Sequence, residues 1–131
     1  MSGLHNGRDV FEYALLRVVP RVERGEMINA GVVVYCGARR FVEARTHLDE
    51  ARLLALDPAV DIAGVRAALG AVESLCEGGA RAGQAAGEDA GRRFRWLIAP
   101  RSTIVQPGPV HTGLTADPAA EVERLLELLV R

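Results

Sequence analysis

The sequence predicts an α+β fold: an N-terminal three-stranded antiparallel β-meander packed with helices, and a closing C-terminal helix. Three observations predict it. Two runs rich in β-branched and aromatic residues, Phe11 to Val19 and Met27 to Cys36, are separated by a short charged segment containing Gly25. After Thr46 the apolar residues recur every three and four positions instead. Asp-Pro pairs stand at 57–58 and 117–118, where an N-cap followed by an N1 proline would start a helix. Apolar residues are 49% of the 131 and charged residues 25%, the composition of one globular domain (1–131) large enough to bury a core.

The meander is expected over 11–46. Its first strand ends at Pro20, which has no N–H for a ladder. Arg21 to Glu26 reads as the hairpin loop, and Gly37-Ala38-Arg39 as the turn into a third strand, Arg40 to Arg45. Both faces of the first two strands are largely apolar. Such a sheet wants cover on both sides, or cover on one side and a partner on the other.

Helices are expected over 49–77. Thr46-His47-Leu48-Asp49 resembles a capping box, with Asp for the usual Glu, before a short helix near Glu50 to Leu56. Asp57-Pro58 is read as the start of a longer helix carrying Ile62, Val65, Leu69, Val72 and Cys76 on one face, with Gly78-Gly79 as its stop. Gly64 and Gly70 weaken that helix by up to ~1 kcal/mol each relative to Ala unless packing needs them small. Residues 78–91 hold five Gly and five Ala and read as a mobile surface loop. In 92–113, Arg92 to Ala99 reads as a helix entered from that loop, with strand-like alternation of Phe94, Trp96 and Ile98 as the alternative. Ser102 to Thr112 is then extended, because Pro107 and Pro109 exclude both a helix and a central strand. The last helix spans 117–130, with Val122, Leu125, Leu126, Leu129 and Val130 on one face.

Charge and composition exclude several classes. All 16 basic residues are Arg, against 17 Asp and Glu, for a net charge of −1. That balance gives no general attraction to nucleic acid or anionic lipid, and the absence of Lys removes Schiff-base and P-loop lysine chemistry. Cys36 and Cys76 lie far apart in apolar runs and, with His5, His47 and His111, have no zinc-site spacing. They read as free buried thiols in a reducing compartment, and no metal or cofactor is expected. The first residues are polar and no apolar run reaches membrane-spanning length, so a cytoplasmic location is the expectation.

The run Tyr13-Ala14-Leu15-Leu16-Arg17-Val18-Val19-Pro20, then Arg24-Gly25-Glu26, then Ile28-Asn29-Ala30-Gly31 with three valines, resembles the signature of the bacterial domain-of-unknown-function family 3037. The segments Ala99 to Thr103, Pro109 to Gly113 and Asp117-Pro118, with the Leu-rich closing helix, resemble that family's C-terminal half. The resemblance implies no activity. It implies a partner only by association, since such proteins are often encoded beside a HipA-like kinase-fold protein.

The most informative residues are Arg17, Glu26, Asn29 and Gly31. Arg17 sits between Leu15 and Val19, where an unpaired guanidinium is costly to bury, so it needs a carboxylate, a carbonyl or an external anion. The internal reading pairs it with Glu26, lets Asn29 serve the loop backbone, and assigns Gly31 to close approach of a neighbouring segment. The external reading makes Arg17 and Asn29, with Arg24 and Glu26 at the loop, a seat for an anion or a partner. Arg101, Ser102 and His111 form a second group, without the surroundings of a catalytic Ser or an orienting carboxylate. Arg92, Arg93 and Arg95, interleaved with Phe94 and Trp96, read as a solvated basic face whose aromatics belong in the core.

Three functions follow. The first is a non-catalytic accessory domain that binds a protein partner, such as a kinase-fold protein, or a second copy of itself through the meander. The second is a small enzyme or ligand-binding protein for an anionic metabolite, which requires Arg17 and His111 to line one cleft. The third, a nucleic-acid module, is opposed by the net charge.

Overall fold

The computed structural model describes residues 7–81, 86–99 and 103–131, without the side chains of 78–81 and 86–89. Along the chain lie β1 (Asp9–Val18), β2 (Ile28–Cys36), β3 (Phe41–Thr46), α1 (Glu50–Leu56), α2 (Ile62–Arg81), α3 (Ala86–Leu97), β4 (Val105–Pro107), β5 (His111–Thr115) and α4 (Pro118–Leu129). The fold is α+β, with the N-terminal meander and the closing helix in place.

The sheet has five strands rather than three. β3, β2 and β1 follow one another, and β4 and β5 both pair antiparallel with the far side of β1. They act as one interrupted edge strand. Leu16 lies opposite Pro107, and Tyr13 opposite His111. Ala14 and Leu15 therefore face three residues, Gly108, Pro109 and Val110, and one of these bulges. Gly108 N–H still donates to the Leu15 carbonyl at 2.8 Å. The two prolines sit on the edge strand and in its bulge, positions where a missing N–H costs little.

A second irregularity matters more. Leu16 pairs with Gly31 but Arg17 with Asn29, so Ala30 is an extra residue on β2. The bulge switches the parity of β2: Ile28 and Ala30 face the same side as Val33 and Tyr35, instead of the opposite one. Gly31 leaves room for β3. A Cβ there would meet the Arg45 carbonyl at 2.9 Å and a Thr46 methyl at 3.0 Å.

The helices divide unequally over the sheet. On one face, α1, α2 and α3 cover Ala14, Leu16, Val18, Ala30 and Val33, with Leu53, Val65, Leu69, Phe94 and Leu97 as their contribution to the core. On the other, α4 alone sets Val122, Leu125, Leu126 and Val130 against Phe11, Val32, Val34 and Cys36.

Several boundaries differ from the sequence reading. Asp49, not Thr46, caps α1, accepting from Arg52 N–H at 3.1 Å, and Thr46 belongs to β3. Asp57 closes α1 and makes a turn instead of starting α2. The α2 start is held by Asp61, whose carboxylate accepts from Gly64 N–H at 3.0 Å. Gly78-Gly79 does not stop that helix, which runs to Arg81, and α3 begins at Ala86. Most of the expected 78–91 loop is therefore helical, and 82–85 lie outside the described residues. Glycine lowers helix stability without forbidding the helix, and Ala raises it, so an Ala-rich stretch carries Gly through. Phe94 is buried, whereas Trp96 is 59% exposed and not a core residue.

Candidate functional site

β1 alternates strictly across the sheet. Phe11, Tyr13, Leu15 and Arg17 face the α4 side, and their cross-strand neighbours His111, Gln106 and Asn29 share that side. Because α4 lies over β2 and β3, the Tyr13, Leu15 and Arg17 side chains are only half-buried.

Arg17 does not pair with Glu26. Gly25 turns the chain with φ +71°, and at the loop Arg24 donates to Glu26 at 2.7 Å. Hydrogen bonding to Arg24 holds the Glu26 carboxyl below its usual range. The Arg17 guanidinium instead lies flat on the edge-strand bulge: a Cβ on Gly108 would come within 3.0 Å of Arg17 Cζ. It makes no ion pair or side-chain hydrogen bond among the described residues. Its neighbour Asn29 is committed to the fold, donating to the Leu129 carbonyl at 3.1 Å. This bond ties β2 to the last turn of α4, so the negative end of that helix reaches the corner beside Arg17.

His111 is exposed and stands against Tyr13 with ring centroids 5.2 Å apart, and Tyr13 stacks on Phe11 at 5.9 Å. Arg17 and His111 thus occupy one face, separated by about four residues of strand, roughly 13 Å. Among the described residues neither of them lines a described groove. The grooves described there lie beside β3, between α2 and β4, and near His47. Arg101 and Ser102 lie outside the described residues. Tyr13, Leu15 and Gly108 were missed by the sequence reading. The first two could have been found by stepping two residues back along the strand from Arg17, whereas nothing local marks Gly108 as its seat.

Residues 13–130 match a family described as protein of unknown function (DUF3037). The chain belongs to the DUF3037 family. The match spans the meander from Tyr13 onward, β4, β5 and α4, so the Arg17 corner lies wholly within the DUF3037 region. No curated protein and no solved structure matches the chain.

The remaining chemistry of this DUF3037 chain is sparse. Among the described residues no group of three His, Cys, Asp or Glu side chains could hold a metal ion. Burial pushes the Cys76 thiol up to about 12, away from thiolate chemistry, and burial raises Cys36 as well. The basic-aromatic cluster is divided: Phe94 is in the core, and Arg95 is held by Glu12 at 3.0 Å with its guanidinium over the Tyr35 and Phe94 rings. No helix among the described residues is long and apolar enough to cross a membrane.

Proposed function

We propose that this DUF3037 chain is a non-catalytic partner-binding protein of the reducing cytoplasm. It docks a carboxylate-bearing segment of a second protein on the half-covered strip of Tyr13, Leu15 and Arg17. The observation that carries this reading is Arg17: a half-buried guanidinium, stacked on Gly108, with no carboxylate on it among the described residues. A partner carboxylate there makes a charge-assisted hydrogen bond in partly desolvated surroundings, while Tyr13 and Leu15 supply apolar area. His111 stands at the rim, exposed, where it contributes little.

The HipA-like kinase-fold protein that the family resemblance implies is the first partner to test, by co-purification. Arg17→Glu is expected to abolish the complex, while Arg92→Glu, an exposed charge on α3, leaves it intact. Equal recovery of the complex with both variants overturns the reading. Sizing of the isolated chain distinguishes the homodimer variant, in which Arg17→Glu converts a dimer to a monomer.

The anionic-metabolite reading is favoured by one observation, that Arg17 and His111 share a face. A strip that lines none of the described grooves fits a macromolecular surface better than a small-molecule site.

A further inference from the structure

The half-covered strip limits the form of the segment that can lie on it. β1 is paired with β2 on one side and with β4 and β5 on the other, so along Tyr13, Leu15 and Arg17 it offers side chains and no free ladder. The neighbouring edge is no better a template. Pro107 and Pro109 have no N–H, and the chain bulges between Pro107 and His111, so no continuous strand can pair along it. A segment that reaches all three side chains therefore lies on the face. There an extended chain would have α4 along one side, and its N–H and C=O groups on that side would have no ladder to join. A helix satisfies its backbone internally.

The width agrees. α4 lies over β2 and β3, and what it leaves is β1 with its edge strand, two strands or about 10 Å across. One helix with its side chains is roughly as wide. α4 supplies the wall, where Leu129 is partly buried against the same core cluster as Tyr13 and Leu15. The charge at the Arg17 end is not cancelled. Glu26 in the hairpin loop is held by Arg24 at 2.7 Å, and Glu127 in the last turn of α4 by Arg131 at 3.0 Å. Arg17 has no ion pair among the described residues.

Resting on the docking reading of Arg17, we propose that the partner's segment is an amphipathic, acidic helix that packs beside α4 as a second helix on this face. Its apolar residues, three and four apart, cover Tyr13 and Leu15. An Asp or Glu two turns from the residue over Tyr13 reaches Arg17, since the two side chains stand roughly 13 Å apart along the strand and two helical turns rise about 11 Å. A lone guanidinium at one end of an apolar strip selects an acidic helix over a basic one. A second copy of this chain has no such helix to spare in α4, whose Val122, Leu125 and Leu126 are buried in its own core.

The test uses the full chain and blocked Ala-based peptides of about 14 residues, a length at which an isolated helix is marginal. The first carries Leu at the facing positions and Glu two turns along, the second has Lys for that Glu, and the third keeps the Glu but has a central Pro. The Glu peptide is expected to bind, to gain helical circular dichroism on binding, and to shift the Tyr13 ring and Leu15 methyl resonances. The Lys and Pro peptides are expected to bind more weakly by about tenfold or more. Arg17→Leu, which breaks no ion pair of the fold, is expected to weaken Glu-peptide binding by about tenfold and to leave the Lys peptide unchanged. Binding of the Pro peptide as tight as that of the Glu peptide, and lost in Arg17→Leu, overturns the helix while the docking reading stands. Binding without a gain of helix, binding that leaves Tyr13 and Leu15 unshifted, equal binding of the Glu and Lys peptides, or no binding up to about 1 mM overturns it too. The docking reading itself falls separately, on co-purification that ignores Arg17→Glu. A dimer of the isolated chain that Arg17→Glu dissociates assigns the strip to self-association and overturns the proposal.

Discussion

The two faces of the sheet start from the same apolar pattern and end differently. Under α1, α2 and α3, the β1 residues Ala14, Leu16 and Val18 are buried to 2% exposure or less, while Val10 and its β5 neighbour Leu114 at the far end stay open. Under α4, the alternate residues Tyr13, Leu15 and Arg17 of the same strand are half-buried. One helix cannot span a sheet four strands wide, since neighbouring strands are about 4.8 Å apart and a helix with side chains is roughly 10 Å wide. The roofed face is where stability resides, and the half-roofed face has surface left for binding.

The comparison breaks most sharply at Phe94. Phe94→Ala, under α3, is expected to cost about 3–5 kcal/mol in denaturant unfolding. Tyr13→Ala, on the half-roofed face, should cost under about 2 kcal/mol, because its ring is only partly buried against the α4 core. Equal costs would mean that the α4 side is as fully packed as the other.

A second prediction concerns Cys76, also under the roof. Its folded thiol is raised from an ordinary value of 9.0 to about 12. The unfolded thiol ionises first as pH rises, so the unfolded state binds fewer protons, and the stabilisation present below pH 9 is lost between 9 and about 12. Relative to Cys76→Ala, the parent is expected to lose up to about 1.4 kcal/mol per pH unit in that window. Parallel stability profiles for the two proteins would show that burial does not hold the thiol neutral.

Smaller effects sharpen the comparison. A Cβ at Gly70 meets nothing within 4 Å, so Gly70→Ala should stabilise the roof by up to about 1 kcal/mol in thermal unfolding. Gly64→Ala should gain less, because its Cβ would meet the Asp61 carboxylate that caps α2. Arg17→Leu is expected to change stability by less than about 0.5 kcal/mol, or to raise it slightly, since no ion pair is broken and a half-buried charge is removed. A loss above about 2 kcal/mol would assign Arg17 to the fold instead of to binding.

Local patterns carried much of the architecture. The alternation and length of the two apolar runs marked β1 and β2, Pro20 marked an end, and Asp117-Pro118 capped α4, with the Asp117 carboxylate accepting from Ala120 N–H. One local device misled: Asp57-Pro58 has the form of a helix start, yet Asp61 holds the start of α2. Pro107 and Pro109 excluded a central strand but not an edge strand, so β4 and β5 were hidden by residues compatible with a broken edge. For the candidate site, the strand marked Arg17 as a charge in apolar company and aligned it with Asn29. Whether Glu26 would reach it depended on a loop in which Arg24 is the nearer partner.

By itself, the sequence determined the fold class, the meander and the closing helix, because periodicity, caps and turn residues act within a few positions of one another. Only the tertiary structure decided which half of the α4 face stays open and what lies beneath Arg17. Those depend on two bulges, opposite Leu16 and at Gly108 to Val110, and on where α4 comes to rest. Such features bring residues far apart in sequence into contact, and no short window of the chain contains both partners.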